Sequence, residues 1–295
     1  MTASTAPGKA RRSLPGSRKT WLATGVALWV WFGVAVVFLF APIATAVVYS
    51  FNEGVAGKQT SAFTGFSLDW YAQAFGDSTI RQATETSLVV AFWAAVIAVV
   101  IGTVLGFELA RNPSRAVRRL LAALTYILLI VPDTVLGVSL LLFYTETRIP
   151  LSEFTLIAAL TPPSISVVAF VIRARVLTLD PGVEDAASDL GASRLATLRL
   201  VVLPQLGPAI GAAALIAYTF AFDNVVIANF LSTPTVNVLT VYLYGTLQYG
   251  ATPAVYATAT IIFGATIVVL AAAALLLRTT LRVRVRRDRA EEPSA

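Results

Sequence analysis

The chain has 295 residues, 57% of them hydrophobic and only 13% charged, with a formal net charge of +6 at pH 7. Since a water-soluble domain carries about 25% charged residues, this composition predicts a polytopic membrane protein. The sequence contains no cysteine and no histidine. This excludes disulfides, thiol catalysis, imidazole general bases and the usual zinc and haem ligand sets.

The N-terminal part divides into a tail, a first span and a polar loop. Residues 1–20 place Lys and Arg among Ser, Pro and Gly, which predicts a disordered basic tail. Residues 21–49 contain no charge. This stretch exceeds the apolar region of a secretory signal (about 7–15 residues), so we expect a retained transmembrane helix. Residues 50–85 are polar, and we expect an extracytoplasmic loop with a short surface helix near Trp70–Phe75.

Five further apolar segments fill residues 86–277, so the sequence predicts an all-α protein with six transmembrane helices. The third span is interrupted at Pro132-Asp133, and the fourth is softened at Pro162-Pro163. A charge-free loop covers residues 232–253, and a basic tail covers residues 278–295. The five segments are Thr86 to Ala110, Leu120 to Phe143, Phe154 to Leu177, Gln205 to Leu231 and Ala254 to Leu277.

The distribution of positive charge predicts the orientation of these spans. Six spans put both termini on one side of the membrane, and that side carries nineteen of the 22 Lys and Arg residues. The other side carries only Lys58, Arg81 and Arg148. By the positive-inside rule, both termini and residues 180–204 face the cytoplasm. Topology therefore accounts for the surplus positive charge, and we expect no nucleic-acid partner.

The longest charged segment between apolar spans is residues 180–204, DPGVEDAASDLGASRLATLRLVVLP. It opens with Asp180-Pro181, a helix N-cap followed by a residue suited to the first helical position. Apolar positions then recur at helical spacing, with acids and arginines between them. We expect an amphipathic helix over 184–199 that lies outside the bilayer and fits a groove on another protein. Its apolar positions are Ala187, Leu190, Gly191, Leu195 and Leu198.

Motifs for catalysis are missing from the sequence. No P-loop occurs, so the chain does not bind nucleotide by that route, and neither Gly-x-Ser-x-Gly nor paired Glu or His metal motifs are present. The acids Asp133 and Asp223 have no visible nucleophile or metal-ligand partner. We therefore expect no catalytic residue, metal site or cofactor in this chain.

The spacing within residues 180–204 resembles the cytoplasmic EAA loop of ABC importer permeases. That loop reads Glu-Ala-Ala, three residues, Gly, nine residues, Ile-x-Leu-Pro. Here Asp185-Ala186-Ala187 is followed at the same spacings by Gly191 and by Val201-x-Leu203-Pro204. Asp185 and Val201 depart from the Glu and Ile of the pattern, but they keep its charge and its branched character.

This resemblance implies a type I ABC importer permease fold in which the loop forms a coupling helix seated in a cleft of a cytoplasmic ATPase. Gly191 would permit close backbone approach, and Asp185 would pair with a basic residue of the partner. ATP and Mg²⁺ are then expected in a separate ATPase dimer. The residues implied in coupling are Glu184, Asp185, Ala186, Ala187, Gly191, Leu195, Leu203 and Pro204.

Further motifs over residues 30–275 are similar to the spermidine/putrescine-type permeases, and most similar to their C subunit. This resemblance implies import of polyamines across a bacterial plasma membrane, with a second homologous permease subunit and an extracytoplasmic solute-binding protein. One departure concerns specificity, because Asp223-Asn224 stands where that subunit has two consecutive acids. The motifs are Tyr49-Ser50-Phe51-Asn52, Trp70-Tyr71, Pro132-Asp133, Asp189-Leu190-Gly191-Ala192-Ser193 and Asp223-Asn224-Val225-Val226, with Pro234, Tyr242, Gly250 and Pro253.

Carboxylates inside apolar spans are costly to bury and usually face a cavity or a partner. Asp133 follows a proline near the middle of the third span, and Asp223 lies in the fifth span near Tyr218 and Phe222. A carboxylate beside aromatic faces suits an alkylammonium, through charge pairing and cation–π attraction. These four residues and Asn224 are therefore candidate substrate-pathway residues. Either acid has an alternative role, which is to cap a broken helix or to hold a neighbouring helix.

Other charged and aromatic residues of the spans have structural interpretations. Glu108 lies three residues before Arg111 at the end of the second span, and we expect a local ion pair between them. Aromatic residues of the first two spans are expected to face lipid or to pack against other helices. These are Trp29, Trp31, Phe92 and Trp93.

Three other functions compete with polyamine import. The same class of permease also carries other solutes, such as thiamine, ferric iron or an amino-acid derivative. An ion-coupled secondary transporter would use the carboxylates as proton or sodium sites, but inverted repeats would then be expected and none is visible. A membrane enzyme is disfavoured because neither acid has a catalytic partner.

Overall fold

The computed structural model describes residues 18–60, 62–250 and 252–268. The predicted basic tail at 278–295 lies outside these residues, as do most of the predicted tail at 1–20 and the end of the predicted sixth span. Regular structure in the described part is helical, apart from two isolated antiparallel bridges that join Asn52 to Phe66 and Val55 to Lys58. The predicted all-α class is therefore confirmed.

Twelve helices follow one another in the described part of the chain. One π-helical turn, Leu198–Val202, leads from the eighth helix into the ninth. The helices are α1 Arg18–Tyr49, α2 Asp69–Gly76, α3 Ser78–Arg111, α4 Arg115–Ile130, α5 Asp133–Glu146, α6 Glu153–Val176, α7 Pro181–Asp189, α8 Arg194–Thr197, α9 Leu203–Asp223, α10 Val225–Leu231, α11 Leu239–Gln248 and α12 Pro253–Val268.

Four helical segments are long and apolar enough to cross a membrane by themselves: α1, α3, α6 and the continuous helix from α8 to α9. A fifth is added if the bent pair α4 and α5 is counted as one span. The shorter α12 is the described part of the predicted sixth span. The prediction of a multi-pass membrane protein is thus confirmed. The number of spans among the described residues agrees only approximately with the predicted six.

The third predicted span is a sharply bent pair of helices. The axes of α4 and α5 meet at 94°. Pro132 stands at the bend and has no N–H to continue the α4 ladder, while Val131 before it adopts an extended ψ of 125°. The predicted interruption at Pro132-Asp133 is confirmed, and it redirects the chain instead of only kinking a straight span.

The fourth predicted span runs as one helix through both of its prolines. α6 is the most buried of the candidate spans. Pro162 and Pro163 have no N–H group, so α6 lacks two backbone hydrogen bonds at this turn. Packing against neighbouring helices keeps the helix continuous there. At its start, Thr155 Oγ1 accepts the N–H of Ser152 at 2.8 Å. The prolines expected to soften this span cause no break in it.

The fifth predicted span breaks near its end. α9 ends at Asp223, and α10 begins at Val225. Between them Asn224 leaves the helix, and its Oδ1 accepts the N–H of Ile227 at 2.9 Å, so Asn224 is the N-cap of α10. The predicted fifth span, Gln205 to Leu231, is therefore divided into two helices at Asn224. The apolar pattern of the sequence does not reveal this break, because one capping residue restarts the helix and leaves the pattern around it unchanged.

The charge-free segment at 232–253 contains a helix, α11, where the sequence predicts a loop. The N–H of Leu239 at the start of α11 donates to Ser87 Oγ of α3 at 2.7 Å. Leu239 is buried and packs in a cluster with Ile80 and Ala83 of α3. The expectation of a loop is wrong. The helix forms because α3, which is distant in sequence, accepts the free N–H group at the start of α11 and buries the Leu239 side chain.

The core forms where α3, α6 and α9 pack together. A Cβ atom at Gly102 would lie 2.7 Å from Val168 Cβ, and one at Gly106 would lie 2.6 Å from the carbonyl oxygen of Ala169. Small residues at such positions let helix backbones approach closely, and van der Waals contact of this kind drives helix association in membranes. The buried small residues that recur at every fourth position of α3 are Ala94, Ala98, Gly102 and Gly106.

The loop after α1 folds around the buried side chain of Asn52. Asn52 Oδ1 accepts the N–H of Thr64 at 2.7 Å. Ser50 Oγ and the Tyr71 hydroxyl are 2.6 Å apart and share a hydrogen bond that joins the end of α1 to α2. The predicted short helix near Trp70–Phe75 is confirmed as α2.

Gly106→Ala is expected to destabilise the packing of α3 on α6. The new Cβ would lie 2.6 Å from the Ala169 carbonyl oxygen and 2.8 Å from Ile172 Cβ. The helices must then separate, at a cost of about 1–3 kcal/mol. Thermal unfolding of the purified full chain in detergent measures this loss. Gly211→Ala in α9 is the matched control, since a Cβ there meets no atom within 4 Å. Equal melting temperatures for the two variants would contradict the close approach.

Candidate functional site

The 180–204 loop begins with a capped helix. Asp180 Oδ1 accepts the N–H of Gly182 at 2.9 Å, and Pro181 occupies the first position of α7. This start agrees with the Asp-Pro signal in the sequence. The loop leads from α6 to α9, so both of its ends are attached to helices of the core.

The helix predicted over 184–199 does not continue through Gly191. Gly191 has a φ of +81°, in the left-handed region that commonly ends helices. A new helix, α8, then follows Ser193, whose Oγ accepts the N–H of Ala196 at 3.3 Å. The expectation of a single helix is wrong, since the segment is a helix, a turn and a second short helix. A Cβ at Gly191 would meet no atom within 4 Å, so within this chain the glycine serves the turn and not close packing.

Arg111, the last residue of α3, ties the loop to the core. Its Nη2 lies 3.3 Å from Glu184 Oε1 of α7 and donates to the Leu179 carbonyl oxygen at 3.0 Å. The two charged side chains are 25% and 27% exposed, so the ion pair is partly shielded from solvent. The sequence contains no signal for this pair, because its two residues are far apart in the chain.

The local ion pair expected between Glu108 and Arg111 is not formed. Glu108 Oε2 instead accepts a hydrogen bond from Asn112 Nδ2 at 2.6 Å. The i,i+3 spacing on α3 permits an ion pair. However, the Arg111 guanidinium is drawn to the loop by the carboxylate of Glu184 and the carbonyl of Leu179.

Most of the predicted coupling residues lie on the outer surface of the loop. Leu195 is 74% exposed and Leu190, between the two helices, is 90% exposed. Large apolar side chains in such a position are typical of a surface that contacts another protein. Glu184 and Ala187 are only partly exposed. The exposed members of the predicted set are Asp185, Ala186, Gly191, Leu195, Leu203 and Pro204.

A groove of about 410 Å³ separates much of the loop from the end of α3. Phe107 and Arg111 of α3 line one part of it, and Asp185 and Arg194 of the loop line another. α7 has no buried residue. α7 is therefore joined to α3 through the Arg111 contacts, whereas the end of the loop packs its apolar Leu198 and Val202 in one cluster with Phe107 of α3.

The two interrupted spans meet at their breaks. Asn224 Nδ2 donates to Asp133 Oδ2 at 2.9 Å, so the cap of α10 is bonded to the first residue of α5. The helices that follow also pack closely, because a Cβ at Gly137 of α5 would lie 2.6 Å from the Phe230 ring of α10. This geometry agrees with the alternative in which Asp133 holds a neighbouring helix.

The other candidate pathway residues lie along α9. Asp223 is exposed and its carboxylate has no hydrogen-bond partner among the described residues. The rings of Tyr218 and Phe222 stack with centroids 6.1 Å apart. Tyr218 also lines a shallow pocket of about 320 Å³ together with Phe92 and Trp93 of α3. The structure thus brings Asp133 to Asn224 and Tyr218 to Phe222, and leaves Asp223 available.

Three carboxylates elsewhere in the described part of the chain have structural contacts. Asp77 and Asp180 accept N–H groups at the starts of α3 and α7, and Glu184 pairs with Arg111. No group of three or more acidic side chains among the described residues is placed to hold a metal ion.

Comparison with known sequences places this arrangement among transport proteins. The sequence model of the family described as binding-protein-dependent transport system inner membrane component matches residues 98–287. The chain is 31% identical over 224 residues to the spermidine/putrescine transport system permease protein PotC of Haemophilus influenzae, covering 76% of this chain and 86% of that protein. It is 31% identical over 226 residues to the putrescine transport system permease protein PotI of Escherichia coli K12, covering 75% and 79%.

Solved structures share the fold at lower identity. A bacterial ABC transporter involved in import of the acidic polysaccharide alginate matches with a TM-score of 0.66 and 15% identity, over 89% of this chain and 99% of the matched chain. A second structure of a bacterial alginate transporter, in complex with an alginate pentasaccharide-bound periplasmic protein, matches with a TM-score of 0.63 and 17% identity, over 86% and 92%. At these identities the likeness concerns the fold, and it confirms the importer permease fold predicted from the sequence.

Exchanging the partners of the Asp133–Asn224 hydrogen bond tests whether it joins the two breaks. Asn224→Asp keeps an oxygen that caps α10 but opposes two carboxylates across the present 2.9 Å contact. We expect it to lower the free energy of unfolding by about 1–3 kcal/mol. Adding Asp133→Asn restores one donor and one acceptor and should recover most of this loss. Thermal unfolding of the single and double variants measures the coupling, and additive losses would argue against a direct bond.

Proposed function

Because the chain belongs to the family of binding-protein-dependent transport system inner membrane components, we propose that it is the permease subunit of an ATP-driven ABC importer for polyamines. The assignment of the cargo rests on the 31% identity to two polyamine permeases over three quarters of the chain. The cargo is then spermidine or putrescine, moved into the cytoplasm of a bacterium across its plasma membrane. Both termini lie on the cytoplasmic side, by the distribution of Lys and Arg.

The 180–204 loop is the contact for an ATPase dimer in this proposal. It exposes Leu190 and Leu195 to a partner, and it lies on the side of the membrane that holds most of the positive charge. Asp185 is exposed and available to a basic residue of the ATPase. Glu184 is held by Arg111, so its role is to position α7. ATP and Mg²⁺ bind to the ATPase, which performs the hydrolysis.

Movement of the loop reaches the spans along three connections. Two are covalent, since α6 leads into the loop and α9 leads out of it. The third is the contact of Arg111 with Glu184 and Leu179 at the end of α3. Closure of the ATPase dimer would displace α7 and move these helices, while the breaks at Pro132 and Asn224 let α5 and α10 change direction. The cargo path would then alternate between the two sides of the membrane.

The path for an alkylammonium passes Asp223 in this proposal. Asp223 is the candidate acid that no hydrogen bond engages within the described residues, whereas Asp133 already accepts from Asn224. The stacked rings of Tyr218 and Phe222 precede Asp223 on α9. A cationic amine gains charge pairing from the carboxylate and cation–π attraction from nearby ring faces.

Two further partners complete the proposed importer. A second homologous permease subunit would cover part of the core, and α1 offers one such surface because its most apolar window has no buried residue. A solute-binding protein would deliver the cargo on the extracytoplasmic side, near the loop that folds around Asn52. One alginate transporter of similar fold was solved in complex with a periplasmic protein.

A different cargo of the same permease class is the second candidate, and one observation favours it. Asn224 stands where the C-type polyamine permeases have a second acid, and its amide is bonded to Asp133. A polycation therefore meets one carboxylate fewer at this position. Thiamine, ferric iron or an amino-acid derivative would then be the solute.

Uptake by the complete importer tests the cargo. We expect proteoliposomes that contain this chain with its ATPase, its second permease and its binding protein to accumulate labelled spermidine or putrescine when ATP is supplied. Asp223→Asn should lower uptake roughly tenfold, the value of one lost charged contact. The matched control is Glu146→Gln, which neutralises an exposed acid at the end of α5. Transport of thiamine or ferric iron with no polyamine uptake would favour the second candidate. Equal uptake by the Asp223→Asn and Glu146→Gln variants would remove Asp223 from the path.

Substitution of Gly191 tests the loop as the coupling element. Gly191→Val forces a β-branched residue into a φ of +81°, so the turn between α7 and α8 is strained by at least about 1–2 kcal/mol. Uptake should fall roughly fivefold or more, together with co-purification of the ATPase. Gly191→Asn is the control, because Asn tolerates the left-handed region. If both variants retain normal uptake and normal co-purification, the turn has no part in coupling.

A further inference from the structure

Four arginines surround one cavity at the end of the core that carries the 180–204 loop. Arg115, Arg118 and Arg119 lie on the first turns of α4, at the i, i+3 and i+4 positions that share a helix face. Arg173 reaches the cavity from the last turn of α6, and Leu109 of α3 closes it. The cavity holds about 360 Å³. We call these four arginines and the space between them the arginine cavity.

Positive charge in the arginine cavity is not balanced by the protein. None of the four guanidinium groups has a carboxylate within 4.0 Å among the described residues. Arg118 donates to the Asn112 carbonyl oxygen at 3.0 Å. Arg173 Nε is buried and has no hydrogen-bond partner in the described part of the chain. A buried donor without a partner is costly, so the cavity favours an anionic ligand that accepts hydrogen bonds.

The surface of α4 beside the arginine cavity is apolar and exposed. Tyr126 lies two turns after Arg119 on the same face of α4 and is 46% exposed. Leu129 and Ile130 continue this face along the helix, and they are 47% and 74% exposed. α4 is the first half of a bent membrane span, so these side chains are placed to contact acyl chains. A charged headgroup site and an apolar wall thus adjoin on one helix.

We propose that the arginine cavity binds the phosphate of an anionic phospholipid whose acyl chains lie along Tyr126, Leu129 and Ile130. Guanidinium groups present N–H donors in a planar fork that matches phosphate oxygens. Basic pockets between helices on the cytoplasmic side of a membrane are suited to such headgroups. Occupancy would bind α4 to the end of α6, and so would brace the helix that enters the 180–204 loop. The apolar face favours a lipid over an acidic patch of a protein partner, which would have no use for it.

A lipid preference measured on the full chain tests this site. The chain is purified in detergent, and its melting temperature is followed as phosphatidylglycerol, phosphatidylcholine or inorganic phosphate is added. We expect phosphatidylglycerol to raise the melting temperature by roughly 3 °C more than phosphatidylcholine does. Inorganic phosphate lacks the acyl chains and should cause no comparable shift.

The test variant is Arg115→Gln combined with Arg119→Gln. Both side chains are exposed and make no hydrogen bond or ion pair with described residues, so the fold should persist. Loss of the two charges should weaken the binding of phosphatidylglycerol roughly tenfold or more. The matched control is Arg175→Gln combined with Arg199→Gln, which removes two exposed arginines from the same side of the protein. It should keep the lipid preference.

Four outcomes would overturn the proposal. Equal stabilisation by the two lipids, or equal loss of preference in both double variants, would mean that no specific site exists. A shift caused by inorganic phosphate that equals the shift caused by phosphatidylglycerol would assign the cavity to the free ion. Loss of ATPase co-purification in the Arg115→Gln, Arg119→Gln variant, with the lipid preference intact, would assign the arginines to a protein interface.

Discussion

The close approach of α3 to α6 at Gly102 and Gly106 is the constraint on which the rest of the structure depends. Lipid tails are as apolar as the side chains of a helix, so burial alone does not hold two spans together in a membrane. Backbone contact at the two glycines supplies the van der Waals packing instead. It also brings the end of α3 beside the end of α6, and only from there does Arg111 reach the Leu179 carbonyl and the Glu184 carboxylate.

The contrast between this packed core and the broken spans explains how such a fold can move. α3 and α6 are continuous helices, whereas the bend at Pro132 and the cap at Asn224 divide the chain into shorter pieces. The hydrogen bond between Asp133 and Asn224 joins those pieces at the breaks, and α5 and α10 pack in one apolar cluster with α3 and α6. Domain motions use a few residues at element ends to absorb backbone changes. The two breaks are such positions, and they lie on the helices that carry the candidate pathway acids.

Charge has different roles at the two sides of the α3 terminus. An ion pair that is partly exposed contributes only about 0–1 kcal/mol, so Arg111 and Glu184 orient the 180–204 loop without locking it. That suits an element proposed to follow a moving ATPase. The arginine cavity on the other side has no carboxylate partner within 4.0 Å among the described residues, which suits the phosphate group of the proposed lipid. The arginines predicted to face the cytoplasm would thus serve two roles, contact within the protein and the proposed contact with lipid.

The sequence by itself determined the all-α membrane class, the Asp180 cap, the interruption at Pro132 and the EAA-like spacing around Gly191, because each depends on local composition or on short-range backbone rules. Only the tertiary structure decided which partner Arg111 has, where α11 begins and that Asn224 holds Asp133. These depend on atoms from distant parts of the chain, such as Ser87 at the start of α11. The same reason accounts for the single helix wrongly expected over 184–199. Glycine spacing fits an amphipathic stripe as well as a turn, and the left-handed φ of Gly191 is visible only in three dimensions.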